Sequence, residues 1–271
     1  MRLNTNSNKI KHFIFKSGEN HVQLLNDFSG HEIDLFFNYM GDGSLFKLAM
    51  IVDALKRQSN VHLSLTISYF PGARQDRVCN SGESLSVKVY ADFINNLGFN
   101  SVKIFDAHSD VVAALVNNSK IIKNHEFVKR AINKDSSNYI LVSPDAGANK
   151  KVFDLAEFLG GPRVVRADKI RDVKDGAIIG TEVFVDDLTG QTCYIVDDIC
   201  AGGRTFIELA KKLKEKNAQK VILIVSHYEG VANQQSLKES GIDRVITTNS
   251  ISGACLATDS FLEVFEINEL I

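Results

Sequence analysis

The chain has 271 residues, a formal net charge of −2, 44% hydrophobic residues and 24% charged residues, an ordinary globular composition with ample material for a core. That charge makes no electrostatic case for nucleic acid or an acidic membrane as partner, and no apolar run approaches the roughly 20 residues needed to cross a bilayer. Residues 1–6 hold no apolar signal core, and the four cysteines (Cys79, Cys193, Cys200, Cys255) show no metal-ligand spacing, so the expectation is a reduced, cytoplasmic protein.

In chain order, residues 10–15 read as a first strand, followed through a Ser-Gly turn by a second. Residues 32–40 form a buried strand broken at Gly41-Asp42-Gly43, and Ser44 is placed to cap a helix over 45–56. A strand rich in β-formers spans 62–70, a helix over 85–97 stops at Gly98, and a short strand at 102–105 leads into Asp106-Ala107-His108. Residues 110–116 make a further helical turn. A second set begins near Val128: a strand over 139–142, a helix over 150–159, a strand over 163–166, a charged connection over 167–176, and strands over 177–184 and 191–196. A helix to residue 216, a strand over 220–226, a helix over 231–240 and strands near 244–247 and 262–266 complete the chain. Strands alternating with helices predict an α/β protein with mostly parallel sheets. Functional-looking residues follow strands in both halves, which suggests a duplicated domain with its active site between the copies. The boundary is set near residue 130, giving domains of residues 1–130 and 131–271.

The most informative stretch is Ile195-Val196-Asp197-Asp198, followed by Ile199-Cys200-Ala201-Gly202-Gly203-Arg204-Thr205. A buried strand delivers two carboxylates to a sheet edge, and a glycine-bearing turn then enters a helix. Paired carboxylates suit ribose hydroxyls, directly or through Mg²⁺, and the turn can wrap N–H groups around a phosphate. An ordinary strand-to-helix turn with solvated acids is the plainer alternative. A second stretch, Ser68-Tyr69-Phe70-Pro71-Gly72-Ala73-Arg74-Gln75-Asp76-Arg77, puts arginines beyond a strand end, where a guanidinium fork matches phosphate oxygens. A surface turn with Arg–Asp pairs would look the same.

Four segments in this order, Phe70-Pro71-Gly72-Ala73-Arg74-Gln75-Asp76-Arg77, Asp106-Ala107-His108, Ser143-Pro144-Asp145-Ala146-Gly147 and Val196-Asp197-Asp198, together resemble the ribose-phosphate pyrophosphokinase family over residues 15–241. The resemblance implies two phosphoribosyltransferase-like domains with the active site between them. It also implies transfer of the β,γ-diphosphate of ATP to the anomeric hydroxyl of ribose 5-phosphate with Mg²⁺. Carried over residue by residue, Arg74 and Gln75 match ATP-binding positions. Phe15, Gly18 and Glu19 match an adenine-side segment that the family contributes from a neighbouring subunit, so the expected partners are ATP, a ribose phosphate and further copies of the chain. His108 and Asp145 match Mg²⁺-linked positions, His108 being also a catalytic candidate. Asp197 and Asp198 match ribose-binding acids, and Ala201, Gly202, Gly203, Arg204 and Thr205 match the 5-phosphate loop, with Asp145 grouped on the same ribose-phosphate side. Lys169 and Arg171 match the lysine and arginine of a mobile catalytic loop, where charge neutralisation and exclusion of water accelerate phosphoryl chemistry.

The sequence also departs from the family. Ser17 stands where an aspartate is common, and Ala201 and Gly202 replace the Asp-Thr pair usual in the 5-phosphate loop, while Arg204 adds a positive charge. Less bulk and less negative charge there would admit a phosphate that continues into a second phosphate and a nucleoside. The loop therefore leans slightly towards ADP-ribose as acceptor, as in phage enzymes of this type, with ribose 5-phosphate as the alternative. A non-catalytic regulatory relative is disfavoured by Lys169, Arg171, His108 and Asp145. A phosphoribosyltransferase would leave Arg74 and Gln75 unexplained.

Overall fold

The computed structural model describes residues 1–132, 138–171, 178–251 and 258–271. The chain divides into two compact units. The first runs from Met1 to Lys123, with Ser250 and Ile271 grouped into it; the second starts at Asn124 and takes in most of the remainder. Ser250 joins the first unit through its carbonyl, which accepts a hydrogen bond from the buried Ser68 hydroxyl at 2.7 Å.

Unit 1 contains, in order, β1 (Arg2–Asn4), β2 (Ile10–Ile14), β3 (Asn20–Leu24), β4 (Glu32–Phe37), α1 (Gly43–Lys56), β5 (His62–Ile67), α2 (Ser86–Asn96), β6 (Ser101–Phe105), α3 (Asp110–Leu115) and β7 (Ser119–Ile122). A five-stranded parallel sheet runs β1-β4-β5-β6-β7, and β2 and β3 form a separate antiparallel hairpin. Leu35, Phe37, Leu65, Ile67 and Ile104 from this sheet pack in one apolar core with Leu48, Ile51, Val52 and Leu55 of α1. The expected strand over 62–70 stops at Ile67; the Ser68 N–H makes a last bond to the Phe37 carbonyl at 3.1 Å before the chain enters the Pro-Gly turn. Ser44 does not cap α1: Asp42 occupies the N-cap position, and the Ser44 hydroxyl donates to the Gly41 carbonyl at 2.6 Å.

Unit 2 contains α4 (His125–Ile132), β8 (Tyr139–Ser143), α5 (Asn149–Phe158), β9 (Val164–Arg171), β10 (Ile178–Val183), β11 (Thr192–Cys200), α6 (Arg204–Glu215), β12 (Lys220–Tyr228), α7 (Gln234–Glu239), β13 (Arg244–Thr248) and β14 (Leu262–Phe265). Its seven-stranded sheet runs β10-β9-β8-β11-β12-β13-β14, parallel except where β10 turns back along β9. The chain leaves β8 towards β9 and later returns to β8's other side as β11, so the order reverses between β8 and β11. Open α/β sheets bind ligands outside the carboxyl ends of strands at such a switch point.

Helix α6 shows how sequence pattern fixes the element behind that point. Phe206, Leu209, Ala210 and Leu213 recur at helical spacing and are all buried, while Lys211 and Lys212 face outward. Burying each larger side chain contributes about 1.5–3 kcal/mol. Lys214 further pins the helix, its ammonium 2.9 Å from the Asp243 carboxylate, which also accepts the Val221 N–H at 2.7 Å.

Candidate functional site

Asp197 and Asp198 were expected beyond a strand ending at residue 196; they lie within β11, which continues to Cys200. The extension is held by β12, since Asp197 pairs with Val225 and Ile199 with His227, whereas pairing with β8 ends at Ile195. Both acids therefore stand on rigid backbone past the end of one neighbour, on the β11 side of the switch point. Asp198 is 5% exposed, and its N–H donates to Asp197 Oδ1 at 2.9 Å. Asp197 is half-buried, and its carboxyl is pushed well above the usual carboxylate range. Burial is the main cause, followed by the charge of Asp198, with a smaller push from Asp145.

Asp145 follows β8, on the other side of the switch point. Its Oδ1 accepts the Ala148 N–H at 3.1 Å just before α5, and Ser143 Oγ donates to its carbonyl at 3.1 Å. A cavity of about 10 Å³, room for a single water, opens beside the paired acids and is lined also by Asn124, Ala148 and Lys151. Sequence reasoning missed Asn124 and Lys151. No motif surrounds them, and only the fold brings them to β11.

Ala201, Gly202 and Gly203 make a three-residue turn, while Arg204 and Thr205, expected in the loop, are the first residues of α6. Gly203 has φ 75°, and a Cβ there would lie 3.1 Å from Ala232 Cβ and 3.2 Å from Leu237 Cδ2. Only glycine fits this turn without strain. Among the described residues, no N–H from 201 to 205 donates a hydrogen bond, and the first turn of α6 carries no acidic side chain. A row of unsatisfied N–H groups at the positive end of a 12-residue helix is an anion cradle.

Lys169 and Arg171, expected on a loop, belong by their backbone to β9, opposite Thr181 and Ile178 of β10. Their side chains, and the rest of the expected connection at 172–176, lie outside the described residues.

In unit 1, the backbone at Phe15, Gly18 and Glu19 forms the tip of the β2–β3 hairpin. Phe15 N–H donates to the Glu19 carbonyl at 2.8 Å, Gly18 N–H to the Phe15 carbonyl at 2.9 Å, and the Phe15 ring is 52% exposed. Arg74 and Gln75 extend exposed side chains from the turn after β5, between buried Pro71 and Ala73 on one side and α2 on the other. Asp106, buried at 4% exposure, takes φ 38° where β6 ends, a left-handed backbone uncommon outside glycine, and exposed His108 follows two residues later. A cavity of about 280 Å³ lies elsewhere in this unit, near His12, Asn38 and Lys47, and none of the expected ATP-side residues lines it.

Among the described residues, no group of three or more His, Cys, Asp or Glu side chains could by itself hold a metal ion. The hard carboxylate oxygens of Asp145, Asp197 and Asp198 nevertheless fit Mg²⁺ as that ion is usually held, by one or two carboxylates together with substrate phosphates.

Paired acids and an N–H cradle at the switch point of a mostly parallel sheet, in a chain of two α/β units, define the phosphoribosyltransferase-like class. Two family models match: the N-terminal domain of ribose phosphate pyrophosphokinase over residues 1–98, and the phosphoribosyl synthetase-associated domain over residues 180–267. The chain is 30% identical to a ribose-phosphate pyrophosphokinase of Pasteurella multocida over 249 residues, covering 88% of this chain and 77% of that one. It is 29% identical to the enzyme of the same name from Vibrio parahaemolyticus over 244 residues, with the same coverage. The fold is similar to a crystal structure of phosphoribosylpyrophosphate synthetase from Mycobacterium smegmatis, with a TM-score of 0.80 at 23% identity, over 96% of this chain and 87% of that one. The chain belongs to the ribose-phosphate pyrophosphokinase family, and it is an enzyme of the transferase type.

Proposed function

We propose that the chain transfers the β,γ-diphosphate of ATP to the anomeric hydroxyl of ribose 5-phosphate. The hydroxyl oxygen forms a bond to the β-phosphorus, the α–β phosphoanhydride bond breaks, AMP leaves and the hydroxyl proton is released. The observation that carries this reading is the switch point of unit 2, where two carboxylates precede a run of five unsatisfied N–H groups on one continuous segment. In that reading the N–H groups of residues 201–205 hold the 5-phosphate, with Arg204 adding charge. Asp197 and Asp198 accept hydrogen bonds from ribose hydroxyls, which offsets the burial that lifts Asp197.

Arg74 and Gln75 are assigned to ATP phosphates, His108 and Asp145 are each assigned to Mg²⁺-linked contacts that would form when the ion is bound, and Lys169 and Arg171 are assigned to charge neutralisation on the transferring group. Mg²⁺, when bound with ATP, supplies Lewis-acid neutralisation of the polyphosphate. The exposed Phe15 tip with Gly18 and Glu19 is assigned to the adenine of a neighbouring copy, so the working form is a homo-oligomer. The proposed location is the cytoplasm. No helix among the described residues is long and apolar enough to cross a membrane.

The slight lean to ADP-ribose drawn from Ala201 and Gly202 finds no support in the relatives, which are named for ribose phosphate. Ribose 5-phosphate is therefore the proposed acceptor. Mass-spectrometric and ³¹P NMR analysis with ATP, Mg²⁺ and each sugar tests both points. AMP in step with a sugar carrying both transferred phosphates is expected, faster with ribose 5-phosphate. Stoichiometric ADP or orthophosphate would reject the reaction, and preference for ADP-ribose would reject the acceptor.

A further inference from the structure

The side chains of Arg74 and Gln75 are exposed, but the backbone that carries them is clamped. Gly72, two residues earlier, takes φ 70°, and a Cβ built on it would fall 2.6 Å from Cδ2 and 2.9 Å from Cε2 of Tyr90. The Tyr90 ring of α2 therefore lies directly on the glycine. Its hydroxyl donates to Asp42 Oδ1 at 2.8 Å, and the same oxygen accepts the Tyr39 hydroxyl at 2.9 Å. The Tyr39 ring sits 6.4 Å from that of Tyr90 and 6.2 Å from that of Tyr69, at the entry to the same turn. Gln75 closes the turn with its N–H on the Gly72 carbonyl at 2.9 Å, and its own carbonyl accepts the Val87 N–H at the start of α2 at 3.4 Å.

One carboxylate oxygen thus ties three elements together: the end of β4 through Tyr39, the start of α1 through Asp42 itself, and α2 through Tyr90. Phenol-to-carboxylate hydrogen bonds are charge-assisted and directional, so they fix the Tyr90 ring and, through it, the glycine beneath. A polyphosphate site gains from side chains whose backbone is already set before the ligand arrives.

We propose that Tyr39, Asp42 and Tyr90 form a positioning network that sets the turn bearing Arg74 and Gln75, and so tunes recognition of the polyphosphate substrate. None of the three touches substrate; each acts through the turn. The inference rests on assigning Arg74 and Gln75 to ATP, and the experiment separates the two claims.

Steady-state kinetics are measured for Tyr90→Phe, Asp42→Asn, Arg74→Ala and the double variant Tyr90→Phe/Arg74→Ala, with melting temperatures for each. Arg74→Ala is expected to raise KM for ATP. Tyr90→Phe and Asp42→Asn are expected to raise KM for ATP about 10-fold, part of the roughly 100-fold that a 1 Å misplacement can cost. KM for ribose 5-phosphate should stay unchanged. In the Arg74→Ala background, Tyr90→Phe should raise KM for ATP far less than it does alone, because only the Gln75 part of the turn is left for it to misplace. Additive losses in the double variant, equal losses for both substrates, or unchanged KM for ATP in both single network variants would overturn the network. An unchanged KM for ATP in Arg74→Ala would instead overturn the ATP assignment, and the network's proposed role with it.

Discussion

The main-chain N–H of Asp198 donates to the side chain of Asp197 at 2.9 Å, so one of two neighbouring acids is partly solvated by the backbone of the other. That single donor does not balance the burial of Asp197, whose carboxyl remains far above its ordinary range for want of water and because Asp198 and Asp145 are close. A protein keeps such a pair at a cost in stability, and a ligand that donates hydrogen bonds or brings positive charge recovers it.

Asp197→Asn should therefore stabilise the free protein while impairing sugar use. The folded pKa of Asp197 lies above its unfolded value, so the native state loses stability as pH rises from the unfolded value, about 4, towards the folded one. Asparagine removes that loss. The variant's advantage should be absent below about pH 4 and grow with pH above it; a gain of about 1 kcal/mol would read as roughly 2–4 °C in a chain of this size. Thermal melts of both proteins from pH 4 to 8, without substrates, check it. An advantage that shrinks with rising pH would contradict the direction given for this carboxyl.

The two glycines of the turn before α6 should behave differently. A Cβ on Gly202 would meet nothing within 4 Å, whereas at Gly203 it would press on Ala232 and Leu237 from a backbone with φ 75°. Gly202→Ala should leave the melting temperature nearly unchanged. Gly203→Ala should cost at least about 1–2 kcal/mol from the left-handed backbone alone. Paired denaturant titrations decide this, and equal losses would mean that the turn is not built as described.

The alternation of apolar runs with helical patterns was enough to read the α/β class and most elements. Both acids and the Gly-Gly turn were legible because a strand of Tyr194, Ile195 and Val196 ends visibly in charge. Less legible was whatever depends on pairing partners. β1 was missed because three residues with one buried side chain, Leu3, carry no periodicity. β9 was read too short because Asp168, Lys169 and Arg171 look like a solvated connection until β10 pairs with them. The extension of β11 to Cys200 depends on β12 lying alongside. The switch point is a property of strand order, and no local pattern encodes it. Asn124 and Lys151 line the cavity beside the paired acids although they precede Asp197 by 73 and 46 residues.

The cysteines should divide by burial. Cys193 is fully buried in β11, and its thiol is pushed up to about 12 by desolvation. Cys200 is likewise buried and pushed up to about 12, first by desolvation and then by the charges of Asp197 and Glu229. At pH 8 about one in ten thousand of either would be thiolate, the reactive form. Cys79 is exposed, and Cys255 lies outside the described residues. Alkylation of the native protein should mark Cys79 and leave Cys193 and Cys200 unmodified until denaturant is added. Peptide mapping by mass spectrometry reads this, and native labelling of Cys200 would show that the turn after β11 opens.

Arg204 stands in an unfavourable place for a cation. It is the first residue of α6, where the helix dipole is positive and where the N–H groups of residues 201–205 are unsatisfied. A positive side chain there costs about 0.3–1 kcal/mol unless an anion lies against it. Arg204→Ala should therefore raise the melting temperature of the free protein slightly, by about 1–4 °C. It should also raise KM for ribose 5-phosphate about 10-fold, the equivalent of one charge-assisted hydrogen bond of about 1.4 kcal/mol. The loss should shrink in high salt, because the arginine is exposed and its field is screened. ADP-ribose, whose corresponding phosphate sits in a diester-like bridge with less charge than a terminal monoester, should be affected less. Melting curves, and saturation kinetics with each sugar at two ionic strengths, test all four points. A variant with unchanged KM for ribose 5-phosphate would remove Arg204 from the phosphate site and leave the N–H groups as its only recognised anion donors.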